Sequence, residues 1–221
     1  MVKDLLRRLL PGRTPVQGPA PASPHEAGDP AGLRGPLPPD GGSPRTEGYA
    51  RHSHGLEQFL NHLHSQEPLS VLDVGGANQA NVEFLTGLGH KLLSEDFLRV
   101  LDATAAAGPS GGAEAGGEQE QVDSFLEQCL DFPVECVDGV LLWDSLEYLP
   151  PPLLKAAVDR LYYVTRPGAY LLAFFHADEK AAEVPAYKYR IHDARTLMLT
   201  QERMRRPCQI FNNRSVEKLF R

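Results

Sequence analysis

No apolar run in the 221-residue chain approaches the about 18 residues that a membrane-spanning helix needs, so the sequence predicts no transmembrane segment. Cysteine is scarce. Cys129, Cys136 and Cys208 are odd in number and include no C-x-x-C pair, which argues against a disulfide framework or a zinc site and for a reducing compartment. The first ten residues, MVKDLLRRLL, lack the unbroken apolar core of a secretory signal because Arg7 and Arg8 interrupt it. The expected location is the cytoplasm. A Ser/His/Asp order and a cluster with metal-ligand spacing are also missing. His52, His54, His62 and His64 fall in i, i+2 pairs, which do not share a helix face, and read as surface histidines.

Charge is unevenly spread. Residues 48–186 carry seven basic against twenty-one acidic side chains, whereas residues 187–221 carry nine against three. A body this acidic makes a poor nucleic-acid partner, since neutralising phosphates drives that affinity. The basic end is expected to pair with the acidic body. Residues 11–47 hold ten of the nineteen prolines and seven glycines; such a segment buries too little apolar surface to offset its ordering entropy and reads as a disordered linker. Ahead of it, Val2, Leu5, Leu6, Leu9 and Leu10 follow the stripe of an amphipathic helix. Residues 1–10 are therefore expected to be an amphipathic helical segment that, being marginal at this length, either frays or docks on its own domain, a partner or an anionic membrane surface.

From residue 48 the pattern alternates. A helix over 51–65 precedes strand LSVLDV at 69–74, then come helix 79–88, strand 90–94, helix 97–106 and a flexible excursion over 107–120. A third strand is expected near 125–130, a fourth at GVLLW, a helix over 150–165, and a fifth strand, AYLLAFF, ending at His176. Alternation of this kind demands an α/β domain with a parallel sheet and right-handed crossovers.

Ligands of open α/β sheets bind at the carboxyl ends of the strands. There the first strand offers Asp73 and the turn Gly75-Gly76-Ala77-Asn78, the second Glu95 and Asp96, and the third Asp131 with Phe132 as an apolar wall. The fourth offers Trp143, Asp144 and Glu147, and the fifth His176. Glycines let a ligand approach the backbone, and the following helix start attracts its negative groups. A carboxylate about twenty residues on can bond ribose hydroxyls.

In these features residues 49–221 resemble the Rossmann-like S-adenosylmethionine-dependent methyltransferases of the small bacterial type 11 sort. The family's D-x-G-x-G-x-G loop is matched in part by Asp73-Val74-Gly75-Gly76-Ala77-Asn78. Its acid after the second strand is matched by Glu95 or Asp96, and its adenine-binding segment by Asp131-Phe132-Pro133. The F-D-x-V strand with its turn is matched from Val137 through Leu149, and the L-R/K-P-G-G element by Arg166-Pro167-Gly168. The resemblance implies a three-layer sheet of order 3-2-1-4-5 and S-adenosylmethionine as cofactor. It also implies a small-molecule methyl acceptor, with Asp144, Glu147 and His176 as candidate proton-handling groups. Residues 187–214, rich in tyrosine and arginine, are a candidate cover for the acceptor. The family's two further strands are not evident, so the fifth strand is expected to have an open edge prone to self-association. The other readings are a non-catalytic methyltransferase-like partner protein, a nicotinamide-dependent oxidoreductase, and a docked regulatory protein using residues 1–10.

Overall fold

The computed structural model describes residues 2–8, 48–64, 67–107, 116–178 and 180–220. The expected linker over 11–47 lies outside them. Strands β1 (Val2–Arg8), β3 (Ser70–Asp73), β4 (Lys91–Ser94), β5 (Val137–Trp143) and β6 (Thr165–His176) form one sheet in the order β1-β6-β5-β3-β4. β6, β5, β3 and β4 are parallel. Helices α1 (His54–His62), α2 (Gln79–Gly87), α3 (Phe97–Ala107), α4 (Gly116–Cys129), α5 (Pro151–Val164) and α6 (Asn213–Leu219) surround it. The result is a mixed α/β architecture compatible with a Rossmann-like fold. β2 (Tyr49–His52), β7 (Val184–Ile191) and β8 (Thr196–Arg205) make a separate antiparallel sheet in the order β2-β8-β7.

The central strands are apolar through their middle, as in Val71-Leu72, Val140–Leu142 and Leu171–Phe175, because both faces are covered there. Leu72, Val140, Leu142, Leu171, Ala173 and Phe175 face one core, built with α3, α4 and α5. Their neighbours Val71, Leu141, Trp143, Leu172 and Phe174 face a second core, shared with α1, Tyr189 and Leu197. The period of two along each strand thus sorts residues between two cores rather than between core and water. Helix starts are set by polar caps: Ser53 accepts from Leu56 N at 3.1 Å, Asn78 from Ala80 N at 3.0 Å, and Asp96 from Arg99 N at 2.9 Å.

Three expectations are corrected. The third strand near 125–130 is the last turn and a half of helix α4. Val122, Phe125 and Cys129 are buried at helical spacing, and this face against α3 and α5 outweighs the short apolar run. The parallel sheet therefore has four strands among the described residues, not five in the order 3-2-1-4-5. Residues 2–8 are not helical: they form β1, antiparallel to β6 from Val2↔His176 to Arg8↔Tyr170. A long neighbouring strand pairs the inward-facing backbone groups of this edge strand, whereas a ten-residue isolated helix is marginal. The edge of β6 is consequently paired, and the expected motive for self-association through it is removed. Residues 184–205 do not lie on that edge but form β7 and β8.

Candidate functional site

β3 ends at Asp73, 1 % exposed, and the chain then turns through Gly75 and Gly76 into α2. The carboxylate is held on all sides. Its Oδ1 accepts from Gly75 N at 2.9 Å and from Trp143 Nε1 at 2.6 Å, and its Oδ2 accepts from Asn81 Nδ2 at 2.9 Å. Burial raises its pKa against these three bonds, which favour the charged form. Gly76 has φ +85°, a conformation that glycine adopts without strain. Its N–H donates to Glu95 O at 2.8 Å, tying the turn to the end of β4. A Cβ on Gly75 would lie 2.5 Å from Trp143 Cδ1, and one on Gly76 would lie 2.8 Å from Asp96 Oδ2. The glycines make room for the protein's own side chains.

Trp143 fills this place by an unusual route. It ends β5 with φ +50°, beside a register shift between β5 and β6. A bulky residue in the left-handed region is uncommon and strained. The kink swings the indole toward the Asp73 turn, where it stacks on Tyr189 with ring centroids 5.0 Å apart and planes at 7°. Asn81, in the first turn of α2, closes the arrangement. Besides Asp73, its Nδ2 donates to Tyr189 O at 3.2 Å and its Oδ1 accepts from Ile191 N at 2.8 Å, so one side chain links the glycine turn to β7.

Glu95 and Asp96 divide their tasks. Asp96 caps α3. Glu95 is half-buried, its pKa raised by burial against the nearby Arg99. Ala77 is exposed at the rim, and Asn78 caps α2. Asp131 and Phe132 are not brought to this place. The backbone after them joins the far end of α5, Glu135 N donating to Tyr163 O and Cys136 N to Val164 O. They therefore stand at the amino end of β5, opposite the glycine turn. With 116–129 helical, no strand carries the chain back to the carboxyl ends. Asp131 is exposed there and pairs with Arg160 at 3.6 Å, while Phe132 packs at the edge of the core.

Beyond Trp143, a 3₁₀ turn (Ser145–Tyr148) places Asp144, Glu147 and Tyr148 beneath β7 and beside His176. Glu147 grips His176 twice: Oε1 accepts from the backbone N at 2.9 Å, and Oε2 lies 2.6 Å from Nδ1. Asp144 is 2 % exposed; it accepts a long bond, 3.4 Å, from Tyr187 N, and the Tyr148 and Tyr189 hydroxyls interact with it. Burial pushes its pKa up to about 7, partly countered by His176. His176 Nε2 is buried without a hydrogen-bond partner, whereas the Tyr148 and Tyr189 hydroxyls, outside strict hydrogen-bond geometry, lie against Asp144.

Where the two sheets meet, a cavity of about 60 Å³ is lined by Val74, Gly75, Asp96, Trp143, Asp144 and Tyr189, with Leu98, Ser145, Tyr187, Lys188 and Glu202. This holds a few water molecules, far below the roughly 300–1,000 Å³ of a site for a drug-sized ligand. β7 and β8 cover it, and Arg203 and Arg205 of β8 anchor that cover by pairing with Asp102 of α3. Arg195 likewise pairs with Glu57 at 2.8 Å. Several basic residues of the C-terminal block are thus matched to the acidic body. Among the described residues no group of three His, Cys, Asp or Glu could hold a metal ion, and no helix is long and apolar enough to cross a membrane.

The sequence reading missed Asn81 and Tyr148. An asparagine eight residues after Asp73, in the first turn of the next helix, was the available signal for Asn81. Tyr148 belongs to the strand and turn matched from Val137 through Leu149 but was given no role there. Comparison with protein-family models finds no match to this chain, and comparison with curated proteins finds none either.

Proposed function

We propose that this protein is an S-adenosylmethionine-dependent methyltransferase whose cofactor crevice is closed, in this conformation, by Trp143 and the β7–β8 sheet. The observation that carries the reading is the buried acid and glycine turn at the end of β3, beside a half-buried acid at the end of the adjacent β4. Ligands of open α/β sheets gather at such carboxyl ends. The residues suit the cofactor chemically. Glu95 is a carboxylate for ribose hydroxyls, the Gly75-Gly76 turn permits close approach, and Asp73 shapes that turn. When bound, the cofactor supplies a methyl group already activated as a sulfonium, leaving the protein to align the acceptor and exclude water. The space it needs is held by the indole, so binding requires Trp143 to leave Asp73.

A second reading is favoured by that same contact. Asp73 accepts three internal hydrogen bonds and needs no ligand, which suits a non-catalytic methyltransferase-like protein. Isothermal titration of the full chain with S-adenosylmethionine, S-adenosylhomocysteine and NADPH separates the two. Binding of the first two supports the methyltransferase. Binding of none, in both the native chain and Trp143→Ala, supports the non-catalytic protein.

A further inference from the structure

The cover over the crevice is held down by different means on its two sides. Toward α1 and α2 it is bolted. Asn81 holds Tyr189 O and Ile191 N of β7, and Tyr189, Ile191, Leu197 and Leu199 are buried in the second core. Toward α3 the seating changes. Past Leu199 the same row of β8 continues with Gln201, Arg203 and Arg205, polar side chains in place of leucines. α3 itself packs chiefly on α4 and the 3₁₀ turn. Among the described residues, the ion pairs between β8 and α3 all end on Asp102. Its Oδ1 accepts from Arg205 at 2.6 Å, and its Oδ2 accepts from Arg203 and, at 3.3 Å, from Arg205. Partial burial would raise the Asp102 pKa, but the two guanidiniums hold it below its ordinary value. Arg205 also lies over the Tyr148 ring, 5.2 Å from its centroid. Asp102 stands one turn beyond Leu98 on the same face of α3, and Leu98 lines the cavity together with Lys188 and Glu202 of the cover.

We propose that the seam between β8 and α3 is the gate of this crevice and that Asp102 is its ionic latch. Paired with Arg203 and Arg205 it holds the cover shut, and its release lets the second half of β8 lift from α3 with the adjoining part of β7. The joint is the bulge between Ala186 and Tyr187. A bulge interrupts the ladder and bends the strand locally, so β7 tilts there while Val184 and Ala186 stay seated in the first core. An apolar seam would not loosen as salt is added. One closed by charge does, because mobile ions screen the pairs. A ligand that needs the open form binds more weakly by the fraction of time the gate is open, so Asp102 governs access without touching what enters. In the reading above, the opened seam gives the Trp143 indole room to leave Asp73 and admits the cofactor. That consequence rests on the methyltransferase proposal; the gate does not.

The test places a reporter behind the gate. Ser145 lines the cavity and is 2 % exposed, so in a Ser145→Cys chain the new thiol meets a soluble disulfide reagent when the seam opens. Cys129, 1 % exposed in the first core, reports unfolding of the whole. Labelling of the full-length chain is followed by peptide mass at both positions with no cofactor present, each rate being compared with that of the same thiol before further substitution. Adding Asp102→Asn is expected to speed labelling at the Ser145 position by about tenfold, the loss of charge-assisted bonds discounted for partial exposure, and to leave Cys129 unchanged. Asp102→Glu should restore most of the slow rate. Raising the salt from about 0.05 to 1 M should speed labelling behind the gate while Asp102 is present and have little effect in Asp102→Asn. Glu57→Gln, which breaks the pair with Arg195 at the bolted side, should change neither rate. An unchanged rate behind the gate in Asp102→Asn, equal acceleration of Cys129, or an equal effect of Glu57→Gln would each overturn the proposal. If Ser145→Cys does not fold, amide exchange at Tyr187 and Lys188 in the chain with its native serine, read against Leu72 of β3, makes the same comparison. Because no S-adenosylmethionine is used, a working latch in a chain that ignores the cofactor would sink the methyltransferase reading and leave the gate standing.

Discussion

Replacing Asp144 with asparagine should make the protein more stable at neutral and alkaline pH. Asp144 is fully enclosed without a salt bridge: its neighbours are Tyr187 N at 3.4 Å and the neutral hydroxyls of Tyr148 and Tyr189. The groups packed around it are His176, Glu147, Tyr187, Tyr148 and Tyr189. Of these His176 lowers its pKa and Glu147 raises it, and burial outweighs both, bringing the value to about 7 from 3.8. The folded state therefore holds a proton between about pH 4 and 7 that the unfolded chain releases, and stability falls as pH rises through that window. Three pKa units at 1.36 kcal/mol each set an upper figure of about 4 kcal/mol, a large share of the roughly 5–15 kcal/mol that holds a domain together. Asparagine keeps an acceptor for Tyr187 N and carries no charge. Urea unfolding of the native chain and Asp144→Asn from pH 4 to 8.5 is the assay. The variants should coincide near pH 4 and diverge by about 2–4 kcal/mol above pH 7, with the asparagine form the more stable. Asp73 and Glu95 also have raised pKa values, so the difference between the two proteins, not the slope of either, is the quantity to read. Parallel curves, or a less stable asparagine form at pH 8, would refute the reasoning.

Asn81→Ala removes three hydrogen bonds and leaves Ile191 N buried and unpaired; the expected loss is about 3 kcal/mol, measured as a shift in urea midpoint. Gly75→Ala drives a methyl group into the indole at 2.5 Å, and should both destabilise the fold and change tryptophan emission. The double change Gly75→Ala with Trp143→Phe is expected to recover part of the loss, and its failure to do so would place the strain in the backbone instead. Glu95→Ala should weaken S-adenosylmethionine binding by about tenfold or more if that cofactor binds, while Asp131→Ala, at the opposite end of the sheet, should not change it; calorimetry compares the two. Removing residues 1–8 uncovers the AYLLAFF edge and should produce association visible by light scattering; a monodisperse truncated chain would show that β1 is dispensable.

Three of the four parallel strands could be read from the sequence because their middles are short apolar runs between helical stretches, which is how doubly covered strands appear; the edge strand β4, Lys91–Ser94, follows from its place between two helices. The second sheet could not. A bulge between Ala186 and Tyr187 breaks the alternation of β7, so VPAYKYRI looks like a basic loop with scattered aromatics. β1 illustrates the opposite failure: VKDLLRR has a helical stripe, and only a partner some 160 residues away makes it a strand. At the site, Asp73, its glycines and the acids after β4 follow from residue type and spacing. That the glycines accommodate Trp143 depends on a positive φ at a tryptophan, which residue type argues against. Asp131 was misplaced for one reason: the segment before it is a helix, so the register of strands counted along the chain was off by one.

The pairing of β1 with β6 also has a history in time. Val2 and His176 are register partners, so on a ribosome adding about 5–20 residues per second the first strand waits on the order of ten to thirty seconds for its mate. During that interval β5, β3 and β4 can already assemble through nearer neighbours, while residues 2–8 have nothing to join. Contacts of such long sequence separation form late and slow the folding of the whole. The seam along β6 should then be the last part of the sheet to close in synthesis. Pulse-labelled amide exchange during refolding would find Leu171 to Phe175 protected on their β5 side before β1 gains protection on the other.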